Sequence, residues 1–434
     1  MDERPPLDAA KEHPADLADE LQRMPRHTAA QILQSIPDER ATAVLAEMDD
    51  KVAAEILSLL KPEESQDLVN ELQSSEAADI VAEMPPEQRE EVLAGLEPAE
   101  SAKVSELLRY PEDSAGGIME DRFIALPVDA TIATCRQILQ DRGEEAVQGA
   151  SYLYVVDAGQ KLIGVISMRD LVFRKPERMI REIMSAQVTA VRVDDDQEKV
   201  AQLFAQYHYM ALPVLERDGR LVGVVDADRA IEVIQQENTE DMQLMVGLSG
   251  EEHSYTTWQK AIGRRLPWLY INLATAFLAA AVVSLFESTI ARWTALAVFF
   301  PVVAGQAGNA GMQTLTVIIR GMALGEISGK AGRGALIKEI VLGLLNGLAI
   351  GIVVGLIGYW WKGSAVFGVI VCLAMFLNML AAALSGVLVP YGLKAMKIDP
   401  ALASSILVTT VTDVAGFFFF LGLAATALRM IPAI

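Results

Sequence analysis

The C-terminal part of this chain sets the tightest limit on what it can fold into. From Leu266 onward, five apolar segments near 266–286, 294–319, 335–360, 365–389 and 403–428 each reach the roughly 20 residues a helix needs to cross a bilayer. Hydrocarbon offers no water to the backbone, so each segment must satisfy its own N–H and C=O groups as a helix. With the N-terminus in the cytoplasm, Arg264, Arg265, Arg320, Lys330, Arg333, Lys338, Lys394 and Lys397 flank the spans inside, and Arg292, Lys362 and Arg429 outside. That asymmetry obeys the positive-inside rule and predicts a multi-pass protein of the cell membrane with an extracytoplasmic C-terminus. The Met1 segment is charged and Pro-rich and lacks the apolar core of a secretory signal.

The formal charge of -21 is unevenly spread: from Leu266 onward nine Lys and Arg meet five Asp and Glu, leaving 27 against 52 before it. So acidic a front part excludes a basic surface for nucleic acid and favours hard cations, although acidic helices are also simply soluble. Cys135 and Cys372 form no CxxC pattern, and the four histidines are scattered, so neither a disulfide framework nor a zinc site is expected.

Between Ala15 and Arg109 the sequence repeats about every twelve residues, as in "DKVAAEILSLLK", "PEESQDLVNELQ" and "SSEAADIVAEMP". Each unit opens on a polar cap and carries apolar residues three to four apart. This predicts an N-terminal all-α, short-helix superhelical domain over 1–113. From 114 to 234 the pattern changes: "YLYVVDAGQKLIGVISMRDLV" and "ALPVLERDGRLVGVVDADRAI" both read strand, turn, strand, helix, with Gly164 and Gly223 in matching places. This duplicated α/β unit resembles tandem CBS (cystathionine β-synthase) modules. The resemblance implies a site for an adenine nucleotide such as ATP, with Tyr152, Arg169, Asp170 and Tyr209 as its candidates; a purely structural pair is the alternative. Residues 235–265 read as a polar connecting helix, and 266–434 as an all-α five-span transmembrane domain.

Two membrane signals carry chemistry. Asp413 stands in "ILVTTVTDVAGFFFFLGLAATA" with no basic residue beside it. An ionised carboxylate near mid-bilayer costs at least about 2.5–3.5 kcal/mol on insertion scales, so it faces water, a cation or a partner, or else is protonated and bonded to Thr409, Thr410 or Thr412. In the second span, "FFPVVAGQAGNAGMQTLTVIIRG" spaces Gly305, Gly308 and Gly311 by three around Gln306, Asn309 and Gln313. Small residues at that spacing serve helix packing, and carboxamides supply neutral oxygens to a cation or its waters. Pro301 loosens the helix start. Oxygen ligands without thiolate or imidazole favour a hard ion, and Mg²⁺ sheds its waters reluctantly.

The order of short-helix repeats, CBS pair, connecting helix and five spans, with "PVVAGQAGNAGMQTLTVIIRG" and "IDPALASSILVTTVTDVAGF", resembles the MgtE family of magnesium channels and transporters. The resemblance implies a homodimer in the lipid bilayer with a pore between subunits, lined by the second and fifth spans. Asp413 and Asn309 would be its metal residues and Gly305, Gly308, Gly311, Gln313 and Thr409 its lining. It further implies Mg²⁺ as both substrate and regulator, closing the pore by bridging cytosolic carboxylates, with Asp79, Asp196, Asp228, Glu240 and Asp241 as candidates. The chain departs from the family pattern at His208 and Arg229, where acidic gating ligands are common. It departs again at Ser405-Ile406, where a helix-breaking pair is common, and at Met312, where a small polar residue is frequent. Alternatives are a CBS-regulated transporter of another divalent cation and a nonconducting Mg²⁺ sensor. No nucleophile–base pair or Walker loop points to an enzyme.

Overall fold

The computed structural model describes residues 12–143, 151–250, 252–327, 329–402 and 404–430. The chain divides into two compact units, Met1–Ile234 and Gln235–Ile434.

Each N-terminal repeat folds as one short helix: α1 (Pro14–Arg23), α2 (Arg26–Leu33), α3 (Asp38–Ala46), α4 (Asp50–Leu57), α5 (Pro62–Glu71), α6 (Ser74–Ala82), α7 (Pro86–Gly95) and α8 (Pro98–Leu107). Local chemistry punctuates them. Proline occupies the first turn of α1, α5, α7 and α8, where its missing N–H removes no helical bond. The Asp49 side chain caps α4, and Gln73 with Glu76 forms a reciprocal capping box on α6. Helices this short are unstable alone, so packing must hold them. They pack two apart, α1 on α3 on α5 on α7 and α2 on α4 on α6 on α8, in two interleaved rows.

The duplicated α/β region builds two three-stranded sheets. The first contains β1 (Ala125–Pro127), β2 (Tyr152–Val156) and β3 (Leu162–Ser167), with α9 (Ile132–Arg142), α10 (Met168–Phe173) and α11 (Ile180–Ile183). The second contains β4 (Val191–Arg192), β5 (Ala211–Leu215) and β6 (Leu221–Asp226), with α12 (Gln197–Tyr207) and the start of α13 (Ala227–Met245). In both, the first two strands run parallel and the last pair antiparallel, with Gly164 opposite Val155 and Gly223 opposite Val214. The segment leading into each module packs on the other module. Glu120 bridges Val224 and Ser185 bridges Val165. A Cβ on Gly223 would lie 2.5 Å from the Met119 sulfur, and one on Gly164 2.6 Å from that of Met184. The repeated glycines thus make room for a methionine from the opposite leader.

In the second unit, α13 ends at Met245, turns follow at Gly247 and Gly250 (φ 79° and 83°), and α14 (Trp258–Ser284) has already begun before Arg264. The connecting stretch 235–265 is therefore a helix end, a Gly-broken turn and a helix start. After α14 come α15 (Glu287–Arg292), α16 (Ala295–Val298), α17 (Phe300–Ala323), α18 (Gly329–Lys362), α19 (Ala365–Ala395) and α20 (Ser404–Met430). Among the described residues five stretches, with α16 and α17 counted as one, are long and apolar enough to cross a membrane.

Contacts fix their directions. Gly311 of α17 touches Val408 of α20, whereas Phe300 meets Phe417 at 5.2 Å, so α17 and α20 are antiparallel. Val303 and Gly311 of α17 meet Asn378 and Gly386 of α19, a parallel pair. On α18, Gly343, Gly347, Gly351 and Gly355 recur every fourth residue against α19, from Ala383 back to Cys372. This antiparallel small-residue seam brings backbones together where lipid gives no hydrophobic push. Asn378, wholly buried, pins the bundle by donating to the Val303 carbonyl at 3.0 Å.

A Cβ on Gly351 would lie 2.8 Å from the Cys372 carbonyl oxygen, whereas one on Gly392 would meet nothing within 4 Å. Gly351→Val is expected to destabilise the detergent-solubilised protein by about 1–3 kcal/mol through overpacking. Gly392→Ala should be neutral or slightly stabilising, with thermal unfolding as the measure; equal midpoints would show that the seam is not tight.

Candidate cation pathway and cytosolic carboxylates

The chain bends ahead of α17: α16 stops at Val298, Phe299 stands between the helices, and Pro301 lies in the first turn of α17. Along α17 one face is buried, through Val303, Ala307, Gly311, Leu315 and Ile318. Another exposes Gly305, Gln306, Asn309, Gln313 and Thr316, a carboxamide stripe uncovered within the chain. The Gly spacing serves both faces. A Cβ on Gly305 or Gly308 would meet nothing within 4 Å, but one on Gly311 would lie 2.6 Å from Val408. Gly311 thus sits on the packed face and not in the stripe.

Asp413 is half-buried on α20, and among the described residues no hydrogen bond or ion pair reaches it. The nearby threonine hydroxyls give their protons to backbone carbonyls and donate none to it. Thr409 donates to the Ser405 carbonyl at 2.8 Å, Thr410 to that of Ile406 at 2.5 Å and Thr412 to that of Thr409 at 3.0 Å. Antiparallel packing sets its height. Asp413 lies five residues, about 7.5 Å, beyond Val408. Five residues before Gly311 stands Gln306, so the carboxylate is level with Gly305 and Gln306, and Thr409 and Thr410 are level with Asn309. Helix α20 runs unbroken from Ser404, so Ser405-Ile406 brings no break. Met312 packs with Leu244, Leu315, Ala401 and Val408.

One intramembrane carboxylate escapes the sequence reading. Glu339 of α18 is 5% exposed and accepts from Thr314 Oγ1 at 3.1 Å. Its signal, an acidic residue within 335–360, is masked by Lys338, which makes that end of the span look like a basic flank.

Among the described residues no three His, Cys, Asp or Glu side chains are placed to hold a metal. Asp196 caps α12, accepting from the Glu198 N–H at 2.8 Å, and Asp228 is exposed. Glu240 and Asp241 lie on α13. Asp79 is engaged by Arg229, whose guanidinium donates to it at 2.7 Å and to Glu232 at 3.2 Å. Burial raises the Asp79 pKa to about 6 against the pull of Arg229, and burial together with the Asp79 charge raises that of Asp50 to about 7. Of the nucleotide candidates, Asp170 is committed to a capping box with Ser167 and lies 3.5 Å from Arg174. Tyr209 shares a 2.7 Å hydrogen bond with Thr189, Tyr152 is half-buried, and Arg169 is exposed.

Comparison with known proteins follows the same divisions. Residues 12–113 match the MgtE intracellular N domain, 115–177 and 180–236 match CBS domains, and 300–423 match MgtE, a divalent cation transporter family. The magnesium transporter MgtE of Bacillus subtilis is 34% identical over 75% of this chain and 72% of its own. The belonging is plain. The chain is a member of the MgtE family. The magnesium transporter MgtE of Thermus thermophilus is 35% identical over 76% of this chain and 73% of its own. A crystal structure of the cytosolic domain of the Mg²⁺ channel MgtE in complex with ATP is 33% identical, covering 51% of this chain and 91% of that one, with a TM-score of 0.48. The α17 stripe, Asp413 and Glu339 all fall inside the matched MgtE region, 300–423.

The Asp50 shift sets a pH dependence. Its carboxyl ordinarily titrates at 3.8 but at about 7 in the fold, so between these values the folded domain keeps a proton that the unfolded chain has released. The stabilisation is full below about pH 4 and is lost as pH rises through 7. Asp50→Asn should therefore flatten the decline in thermal stability between pH 5 and 8, and parallel wild-type and variant profiles would remove Asp50 as its source.

Proposed function

We propose that this MgtE-family member is a Mg²⁺-selective channel or transporter that imports magnesium across the cell membrane as a homodimer and is closed by cytosolic Mg²⁺. The observation that carries the reading is Asp413: a carboxylate at bilayer depth, unpartnered among the described residues, level with a carboxamide stripe that they leave uncovered. A cation with its waters compensates such a charge. A second copy related by a two-fold axis would cover the stripe and bring two Asp413 side chains to one path, with Asn309, Gln313 and Thr409 offering neutral oxygens. Few carboxylates and no soft ligand suit a hard ion that stays hydrated, which is the preference of Mg²⁺, and the relatives named as magnesium transporters support that choice.

Gating follows from charge. The carboxylates of the acidic front part repel unless countered, and cytosolic Mg²⁺ supplies the counter-charge at sites drawn from Asp196, Asp228, Glu240 and Asp241. At Asp79 the Arg229 guanidinium already does so, which lowers the demand for an ion there and weakens the response to Mg²⁺. ATP at the CBS pair, held through Tyr152, Tyr209 and Arg169, would tune this response. A cytoplasmic N-terminus and an extracytoplasmic C-terminus are supported by the excess of basic flanks on one side.

The decisive measurement is Mg²⁺ uptake into proteoliposomes. Asp413→Ala and Asp413→Asn should each lower it about tenfold or more, since one lost charge contact at this depth exceeds ~1.4 kcal/mol. Uptake equal to wild type would remove Asp413 from the path, and no uptake by any form would favour the nonconducting sensor.

A further inference from the structure

Beside the exposed stripe, α17, α18 and α19 line a half-open cavity of about 190 Å³, bounded by Gln313 and Thr314, by Lys338, Glu339 and Asn346, and by Met379 on its apolar side. Its polar wall is made of oxygen donors: one carboxylate, one hydroxyl and two carboxamides. Thr314 gives its proton to Glu339 Oε2, which leaves its own lone pairs free to face the cavity. The other Glu339 oxygen has Lys338 Nζ 3.6 Å away, beyond hydrogen-bond length, on a side chain that is 64% exposed. A hydroxyl carries no net charge, and a mobile ammonium at that distance compensates weakly. The cost of burying an ionised carboxylate is thus only partly met by the chain itself.

We propose that this cavity is a second cation site, which takes a hydrated divalent cation in place of Lys338 as the counter-charge of Glu339. A single carboxylate among neutral oxygens cannot strip a small divalent ion, and no three-ligand cage of His, Cys, Asp or Glu exists among the described residues. The volume admits an ion with several waters, at about 30 Å³ each. Thr314 lies eight residues from Gln306, so the site stands about 12 Å along α17 from the level of Asp413, toward the helix end that carries Arg320. Gln313 belongs to both the exposed stripe and the cavity wall, so an ion held by Glu339 waits beside the path. This rests on the chain being a divalent-cation pathway, but its readout is binding and not flux.

The test counts Mn²⁺ bound to the purified full-length protein by electron paramagnetic resonance, with Mg²⁺ as competitor. Glu339→Gln should bind one Mn²⁺ fewer per chain, and Lys338→Met should tighten that same site about threefold to fivefold, the scale of one partly exposed charge contact. An unchanged count in Glu339→Gln, or looser binding in Lys338→Met, overturns the proposal and leaves Glu339 as a structural partner of Thr314. Should Glu339→Gln not fold, Asn346→Ala, which keeps the Glu339–Thr314 bond, should weaken one site severalfold; unchanged affinity overturns it equally. Asp413→Asn separates the two readings: if it removes no ion while Glu339→Gln does, the pathway at Asp413 fails and the Glu339 site stands.

Discussion

Negative charge within hydrocarbon is the constraint around which the membrane domain is arranged. Asp413 and Glu339 meet it to different degrees within the chain. Glu339 is enclosed, bonded to Thr314 and watched by Lys338. Among the described residues Asp413 has no such partner, and the Thr409, Thr410 and Thr412 hydroxyls donate to carbonyls of its own helix. A side chain left in that state is compensated from outside the protomer, by water, an ion or a second copy. The carboxamides of α17 are left uncovered at the same height.

Tight backbone approach makes the arrangement possible. With no hydrophobic gain between helices in lipid, close contact depends on residues that leave room. Gly311 and Gly386 bring α17 to α19 and α20, and the four-residue glycine rhythm of α18 brings it to α19. The same device recurs outside the membrane region, where Gly164 and Gly223 each receive a methionine sulfur from the leader of the opposite module. That exchange ties the two CBS modules into one body, which a beads-on-a-string reading of the duplication does not anticipate.

Within the first unit a fixed charge compensates buried carboxylates. Arg229 bridges Asp79 of the helical repeats to the CBS pair while Asp50 is pressed close by. A guanidinium is always charged and cannot diffuse away, so this counter-charge is part of the fold.

Much of this was written in periodicity. Lengths of apolar sequence determine the spans because hydrocarbon leaves the backbone no alternative to helix, and the twelve-residue caps and prolines determine α1 to α8 because their chemistry is local. The tandem strands and the matching glycines announced the duplication, and Asp413 was conspicuous because its neighbours are apolar. Which face of α17 is packed, that Gly311 belongs to it while Gly305 and Gly308 do not, and that the CBS leaders cross over were decided by tertiary structure alone. Glu339 was hidden by the lysine beside it until α17 and α18 were seen to line a cavity. Arg229 found Asp79 across 150 residues of sequence. Pattern along a chain reports what each segment must bury; which partner fills the space depends on contacts between segments far apart in sequence, and these exist only once the helices have met.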